Sequence, residues 1–269
     1  MLSPHEIPRF LTYHPRDFES SRVLNIPKTR KAPTVDFHQP TMFATLMDLD
    51  AFSIDLINEI LQYSDLSTIS MFSLLNRQAR IIAYESLPYK HLLLHAPHAP
   101  VALIRTGVGS HFIVQEVFHV LCSPDCRICG NFGAFLWMPA CIRCCFVCLR
   151  KTPELLPMSE SHAKAVFGLT KKALAKVPIV VTIPGNYGSP RKEYRMRRRL
   201  LSVERALQVT TTTRSGARTR NAARLDDVTR FMVTIPFPYF DLTSHGTTQI
   251  GRACRGCKRA HDKRQIIAF

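Results

Sequence analysis

The spacing of apolar residues predicts three short helices in residues 46–95. One helical stripe follows Ser53 and a second follows Asp65, and both of these residues can cap a helix. The first stripe consists of Leu56, Ile57, Ile60 and Leu61. The second recurs at three-residue steps, and a third helix is predicted over residues 76–84. Three helices of this size cannot bury all their apolar faces against one another, so we expect apolar surface to be left for a partner.

Farther along the chain, helical spacing and strand spacing alternate. Helical spacing recurs in residues 97–120 and 159–176, whereas β-branched stretches in residues 178–184 and 231–240 predict strands. The aromatic run in residues 132–138 predicts a short hairpin packed over a metal site. The pattern therefore predicts an α+β fold that is mainly helical, with a three-helix N-terminal module followed by a small module of short strands and helices.

Three regions follow from these patterns. Prolines interrupt every possible helix in residues 1–45, which predicts a flexible tail. Residues 46–95 form the predicted helical module, and residues 96–269 form the predicted α+β module, with an exposed loop near residues 208–224. The first residues have no apolar run typical of a signal peptide, and no stretch approaches the roughly 18 apolar residues of a membrane span. We therefore expect an intracellular protein of the cytoplasm or nucleus, with no membrane partner.

Cysteines supply the strongest chemical signal. Six of the nine lie in residues 126–148 as three Cys-x-x-Cys pairs, and a fourth pair follows more than a hundred residues later. Two thiolates separated by two residues can reach one tetrahedral metal ion, and the 15 residues between Cys129 and Cys145 match the spacing of a structural zinc site. Disulfides and buried free thiols are the alternatives. A reducing compartment favours metal binding over disulfides.

Four pairs predict two structural zinc ions, each bound by two pairs. Adjacent Cys144 and Cys145 have diverging side chains, so we expect them to serve different ions. The first predicted site consists of Cys126, Cys129, Cys145 and Cys148. The second consists of Cys141, Cys144, Cys254 and Cys257. Gly130 follows the first pair, where a tight turn needs a residue that tolerates positive φ. Both sites would have four thiolates and no open position for water, which argues against a catalytic zinc.

This cross-braced arrangement also raises the RING finger, a ligase module that recruits the ubiquitin-conjugating enzyme directly. The last pair of a RING finger follows closely, whereas 105 residues separate Cys148 from Cys254. We therefore favour a structural zinc fold. His111 and His119 precede the cysteines, but eight cysteines complete two sites without them, and we expect Cys122 to be a buried thiol.

The net charge of +16 raises the question of an anionic partner. The densest run of basic residues lies in residues 191–199, where we predict a helix with its arginines pointing outward. The candidate nucleic-acid-binding residues are Arg191, Lys192, Arg195, Arg197, Arg198 and Arg199. The alternative is a solvated helix face without a ligand. A zinc-containing nucleic-acid-binding protein is thus one functional hypothesis.

Four segments in the predicted helical module resemble an F-box. They are Ile54-Asp-Leu-Ile-Asn-Glu-Ile-Leu, Asp65-Leu-Ser-Thr-Ile, Leu74-Leu-Asn-Arg-Gln-Ala-Arg and Glu85-Ser-Leu-Pro. Phe52-Ser53 stands where the family has Leu-Pro. The cysteine stretch and Arg230-Phe-Met-Val-Thr-Ile-Pro-Phe-Pro-Tyr are similar to segments of a group of fungal F-box proteins with a Cys-rich, zinc-ribbon-like segment. The resemblance covers about residues 49–260.

The resemblance implies a non-catalytic subunit of a Skp–cullin–F-box ubiquitin ligase. The helices in residues 54–84 would bind the Skp-type adaptor that connects to the cullin assembly, and the later part would present a protein substrate, so far unknown, for ubiquitination. The implied adaptor-binding residues are Ile54, Leu56, Ile57, Ile60, Leu61, Leu66, Ile69 and Phe72. From the residues alone, this apolar surface could instead pack against the zinc module. The sequence shows no phosphate-binding loop, nucleophile elbow or His-Glu-x-x-His motif, so we expect no enzymatic activity.

Overall fold

The contacts within the chain divide it into two units. A computed structural model describes residues 12–13, 22–24, 49, 51–188, 191–210, 228–243, 246–254 and 266–267, with the backbone alone for residues 12–13, 252–254 and 266–267. The helical unit comprises Ile26–His119, and the cysteine-rich unit comprises Met1–Asn25 together with Val120–Phe269. Helices dominate the first unit and short antiparallel strands mix with helices in the second, so the fold is α+β.

Side-chain caps begin the first helices of the helical unit. Its helices are α1 (Ile54–Tyr63), α2 (Leu66–Phe72), α3 (Arg77–Glu85), α4 (Leu87–His95) and α5 (His98–Arg105), with a 3₁₀ turn at Gly109–His111. Helix α6 (Val114–Leu121) begins in this unit, and its last two residues belong to the cysteine-rich unit. The hydroxyl of Ser53 accepts a hydrogen bond from the N–H of Leu56, and the carboxylate of Asp65 accepts one from the N–H of Thr68. Both caps are confirmed. Asn76 caps α3 in the same way.

Residues 46–95 contain four helices where the sequence predicts three. Helix α4 carries Pro88 in its first turn. Proline is tolerated there because the N–H that it lacks would have no partner within the helix. The F-box resemblance includes this proline, but apolar periodicity alone predicts that the helical segment ends before it.

The boundary between the units lies after His119, later than the sequence places it. Two backbone hydrogen bonds tie the segment before α6 to the start of α2. The N–H of Leu66 donates to the carbonyl oxygen of Phe112 at 3.2 Å, and the N–H of Val114 donates to that of Ser64 at 3.0 Å. These bonds join residues far apart in sequence, so the local apolar pattern does not reveal them.

Short antiparallel strands frame the cysteine-rich unit. The strands are β1 (Thr12–Tyr13), β2 (Phe135–Trp137), β3 (Ile142–Cys144), β4 (Pro157–Ser159), β5 (Ile179–Val181), β6 (Gly185–Tyr187), β7 (Lys192–Tyr194), β8 (Arg199–Ser202), β9 (Thr234–Pro236), β10 (Tyr239–Asp241), β11 (Thr247–Gln249), β12 (Arg252–Cys254) and β13 (Ile266–Ile267). They pair in the orders β3-β2-β9, β4-β8-β5 and β1-β12-β13, with two-stranded sheets β6-β7 and β10-β11. The hairpin predicted within residues 132–138 extends farther along the chain: those residues supply only β2, and its partner β3 begins at Ile142.

The sheet β3-β2-β9 joins the cysteine stretch to the C-terminal part of the chain. Phe135 lies opposite Cys144 on one side and opposite Pro236 on the other. All three residues of β2 are buried, and so is Ile235 in β9. Strand β9 is at the edge of this sheet, as a proline in a strand requires.

Five short helices complete the described part of this unit. They are α7 (Phe146–Lys151), α8 (Glu160–Phe167), α9 (Lys171–Leu174), α10 (Val203–Gln208) and α11 (Thr229–Met232), with a 3₁₀ turn at Pro153–Leu155. The single helix predicted over residues 159–176 is split, because Gly168 adopts a φ of 64° and ends α8. No helix in the described part of the chain is both long enough and apolar enough to cross a membrane.

The predicted basic helix over residues 191–199 is wrong. Lys192–Tyr194 is β7, and Arg199 begins β8, which pairs with β4 on one side and with β5 on the other. Leu200 and Leu201 are both fully buried. Consecutive residues of a strand point to opposite faces, so a central strand buries both leucines while two neighbouring strands satisfy its backbone. These neighbours come from elsewhere in the chain, and local helix propensity does not register them.

The predicted flexible tail is wrong at residues 22–24. Val23 and Leu24 are buried, and the N–H of Leu24 donates to the carbonyl oxygens of Phe231 and Thr234. The backbone of residues 12–13 also pairs with β12. Most other residues of the predicted tail, and residues 211–224 of the predicted loop, lie outside the described residues.

Candidate metal centre and interaction surfaces

Four cysteine sulfurs come together in the cysteine-rich unit. The Sγ atoms of Cys126, Cys129, Cys145 and Cys148 all lie within 4.8 Å of one another. Zinc–sulfur bonds of about 2.3 Å place tetrahedral sulfurs about 3.8 Å apart, and the sulfurs of Cys129 and Cys145 are 3.7 Å apart. No second group of three or more His, Cys, Asp or Glu side chains comes this close among the described residues. The arrangement is compatible with a structural metal ion such as zinc.

The first cysteine pair lies in a tight turn. The N–H of Gly130 donates to the carbonyl oxygen of Cys126 at 2.9 Å and closes the turn. Gly130 has a φ of 71°, which confirms the predicted need for glycine. The side-chain amide nitrogen (Nδ2) of Asn131 donates to the Sγ atom of Cys129 at 3.4 Å. The turn therefore positions both sulfurs and supplies a donor that stabilises thiolate charge.

The second cysteine pair lies at the start of a helix. Strand β3 ends at Cys144, and Cys145 follows directly as the N-cap of α7. The Sγ atom of Cys145 accepts a hydrogen bond from the N–H of Cys148 at 3.4 Å. The unpaired N–H groups of a first helical turn favour negative charge. The site is thus assembled from a tight turn, a hairpin and a helix start.

The pKa values of the clustered thiols diverge. The pKa of Cys126 is lowered to about 4, chiefly because the Cys145 thiol donates a hydrogen bond to its sulfur. The same hydrogen bond raises the pKa of Cys145, and burial raises the pKa of Cys148 to about 11. Without a metal, this arrangement therefore favours the thiolate of Cys126 and disfavours the thiolates of Cys145 and Cys148. A divalent cation offsets the repulsion between thiolates, so metal binding is coupled to proton release.

The second predicted set of ligands stays a prediction. Cys144 is fully buried in β3 and is not part of the four-sulfur group. Cys141 is buried in the hairpin turn with a φ of 52°, a rare conformation for a residue with a side chain. Their predicted partner Cys254 ends β12, where the backbone alone is described, and Cys257 lies outside the described residues.

A buried arginine holds the elements around the four cysteines, and no local sequence pattern marks it. Arg143 lies in β3 with 2% of its surface exposed, and its guanidinium donates only to backbone carbonyl oxygens. The acceptors are those of Val120, Leu121, Gly133, Phe237 and Pro238. Burial lowers its pKa to about 9, which still leaves the side chain charged at pH 7. One side chain thus connects three distant segments.

A second buried arginine contacts the helix that carries Cys148. Arg230 in α11 donates to the carbonyl oxygens of Leu149 and Thr152, at the C-terminal end of α7. A cation favours that end of a helix. Nothing in the local sequence distinguishes Arg143 or Arg230 from a surface arginine, because their partners are backbone oxygens.

The implied adaptor-binding residues divide between the core and the surface of the helical unit. Four of them are buried, which corrects their assignment to a contact surface: Ile57, Leu61, Leu66 and Ile69. Ile54, Leu56 and Ile60 are exposed, and Phe72 is half-buried. The structure adds five exposed residues that the assignment omitted: Phe52, Tyr63, Met71, Leu74 and Leu75. We call the exposed large apolar residues among 52–75 the apolar surface: Phe52, Ile54, Leu56, Ile60, Tyr63, Met71, Leu74 and Leu75.

Of the candidate nucleic-acid-binding residues, Arg191 lies in the turn before β7, Lys192 on β7 and Arg199 on β8, and the other three lie on the loop between these strands. Arg198 is partly buried and the other five are exposed. The hydroxyl of Thr182 accepts a hydrogen bond from the N–H of Arg198 at 2.8 Å, which attaches the loop to the end of β5.

No protein-family model matches the chain, and no match is found among curated proteins or solved structures.

Proposed function

We propose that this protein is an F-box-type subunit of a Skp–cullin–F-box ubiquitin ligase. In this proposal the helical unit binds a Skp-type adaptor and the cysteine-rich unit presents a protein substrate. The observation that carries the proposal is the apolar surface. Of the sixteen large apolar side chains exposed in the described part of the chain, eight lie in residues 52–75. Concentrated apolar exposure of this kind is typical of a protein-binding surface.

Helix α1 supports the assignment of this surface to partner binding, because it has one buried and one exposed apolar face. Ile57 and Leu61 face the core of the unit and are 4% exposed. Leu56, Ile60 and Tyr63 recur at helical spacing on another face and are 41%, 48% and 65% exposed. One apolar face is sufficient to pack a helix onto its own unit. A second face is therefore available for another molecule.

The departure from the F-box pattern at residues 52 and 53 is compatible with this proposal. Ser53 caps α1, a role that its replacement by proline would remove. Phe52 is 47% exposed and extends the apolar surface by one aromatic ring. A bulky apolar residue therefore still stands at the start of the motif.

The proposal assigns no chemistry to the chain itself. Four thiolates fill the coordination sphere of a zinc ion and leave no position for water, so the metal would have a structural role. Transfer of ubiquitin would belong to the conjugating enzyme of the assembly. The cysteine-rich unit would then be a stable platform for the substrate.

Binding to a purified Skp-type adaptor tests the proposal. We expect the full chain to bind the adaptor in isothermal titration calorimetry, and the double variant Leu56→Asp/Ile60→Asp to bind at least 100-fold more weakly. Leu94→Asp is the matched control, because Leu94 is similarly exposed on α4, outside the apolar surface. Its affinity should change less than threefold.

Three results would reject the adaptor role. The wild type fails to bind, the double variant binds as well as the wild type, or Leu94→Asp loses as much affinity as the double variant. If the apolar surface packs within the protein instead, the double variant should lower the midpoint of thermal unfolding in the absence of any adaptor. Because both substituted side chains are exposed, the proposal expects that midpoint to stay within about 3 °C.

A further inference from the structure

The positive charge of the chain belongs almost entirely to one unit. Residues 120–269 contain 26 Lys and Arg against nine Asp and Glu. Residues 51–119 contain four Lys and Arg against five Asp and Glu. A charge excess confined to one unit gives that unit a strongly positive surface potential, which attracts anionic partners. The adaptor proposal does not use this charge.

The basic segment (residues 191–199) is where this charge is densest within the described chain. Strand β7 pairs with β6, and β8 is the central strand of its sheet. Between the two strands the backbone of Arg198 is bonded to Thr182. The cations are therefore carried on regular strands and an anchored loop.

Most of the cations in this segment have no acidic partner. Glu193 pairs with Arg195, and Glu160 pairs with Arg199. Among the described residues, no ion pair is formed by Arg191, Lys192, Arg197 or Arg198. Four positive charges thus remain uncompensated within nine residues.

Two of these cations flank one aromatic ring. The ammonium group of Lys192 and the guanidinium of Arg198 lie 5.9 Å and 5.7 Å from the centre of the Tyr194 ring. Cation–π contacts of this kind hold charged side chains beside the ring. The segment therefore holds two of its cations beside a partly exposed tyrosine.

We propose that the basic segment binds the phosphate backbone of nucleic acid, with Arg191, Lys192, Arg197 and Arg198 as the phosphate-contacting residues. Spaced, uncompensated cations are what a polyphosphate chain requires. An anionic membrane is the competing ligand, but binding in a bilayer interface needs a broad apolar face. Met196 is the one large apolar side chain exposed in this segment. The proposal stands independently of the adaptor proposal.

Fluorescence anisotropy with a labelled 20-base-pair DNA duplex and a labelled 20-nucleotide RNA tests the proposal across a series of salt concentrations. The variant Arg191→Gln/Lys192→Gln/Arg197→Gln should bind at least tenfold more weakly than the wild type at low salt. Four phosphate contacts predict a slope of about −3.6 for log affinity against log salt on duplex DNA, and the variant should lose about 2.7 of it. Metal content and thermal unfolding of the variant should match the wild type.

The matched control removes the same charge from another part of the same unit. Lys171→Gln/Lys172→Gln/Lys176→Gln substitutes three exposed lysines on and after α9, and it should weaken binding less than threefold. The proposal is overturned if the control weakens binding as much as the basic-segment variant, since binding would then follow net charge alone. It is also overturned if neither nucleic acid binds. Tighter binding to vesicles with 30% anionic lipid than to either nucleic acid, with the same variant reducing it, would assign the segment to membranes.

Discussion

The helical unit takes much of its order from neighbours in sequence, with two long-range backbone bonds at Leu66 and Val114, whereas the cysteine-rich unit depends mainly on distant segments. Each of the helices α1, α2 and α3 begins at a capping residue whose side chain accepts a hydrogen bond from the N–H three residues later. In the cysteine-rich unit, Arg143 donates to the carbonyl oxygen of Phe237 across 94 residues of sequence. Strand β2 pairs with β9 over a similar span. Local contacts therefore contribute more to the stability of the helical unit, and long-range contacts contribute more to that of the cysteine-rich unit.

The surfaces of the two units also differ, in net charge and in exposed apolar area. The helical unit is nearly neutral and exposes the apolar surface, while the cysteine-rich unit carries the net positive charge. A unit that folds from local signals can leave an apolar face open for a partner. A unit held together by buried arginines, and by a metal ion if the four cysteines bind one, can tolerate a high density of like charge, which otherwise opposes compactness.

Metal removal should separate the two units most clearly. Structural zinc binding contributes about 10–16 kcal/mol, which is comparable with the whole stability of a domain, about 5–15 kcal/mol. We expect excess chelator at pH 7 to unfold the cysteine-rich unit and to leave the helical unit folded. Limited proteolysis with mass spectrometry should then find new cleavage sites within residues 120–269 and none within residues 51–119.

Re-addition of zinc is the control and should restore protection. New cleavage in both units together, or in neither, would show that metal does not distinguish them. Elemental analysis of the untreated protein counts the ions. If the second predicted site exists, the wild type should hold two zinc ions per chain, and Cys254→Ser should hold one.

Substitution of Arg143 should have the next largest effect. Arg143→Met leaves buried carbonyl oxygens without a donor, and each unsatisfied group costs about 1–3 kcal/mol. We expect the free energy of unfolding of the cysteine-rich unit to fall by about 3–5 kcal/mol, a value typical of an interrupted buried charge network. Urea denaturation followed by Trp137 fluorescence measures it. Arg127→Met, at an exposed arginine of the same unit, should change that free energy by less than about 0.5 kcal/mol.

The smallest effect distinguishes the two faces of α1. Ile57→Ala should lower the stability of the helical unit by about 2–4 kcal/mol, because Ile57 is buried. Leu56→Ala, one residue away and 41% exposed, should change it by less than about 1 kcal/mol. Urea denaturation followed by circular dichroism at 222 nm compares the two. Equal losses would mean that both faces of the helix are packed.

Features of the candidate sites that depend on adjacent residues could be predicted from the sequence. The grouping of four cysteines followed from pair spacing, and the turn at Gly130 followed from the geometry of a metal-binding pair. Features that depend on which way a side chain faces, or on which distant strand pairs with a segment, could not be predicted from the sequence. Periodicity identified Leu56 and Ile57 as members of one stripe, but not which of them faces the core. The basic segment was predicted as a helix because its strand partners, β4 and β5, are remote in sequence.

The sequence by itself therefore determined the helix caps, the composition of the four-cysteine centre and the position of the basic segment. Each of these depends on chemistry within a few neighbouring residues. The tertiary structure alone decided which apolar residues are exposed, that residues 191–199 form strands, a turn and a loop, and that Arg143 and Arg230 hold the elements around the four cysteines. In each of these cases the deciding partner is a backbone group or a packed surface from a distant segment, and that partner leaves no local pattern in the sequence.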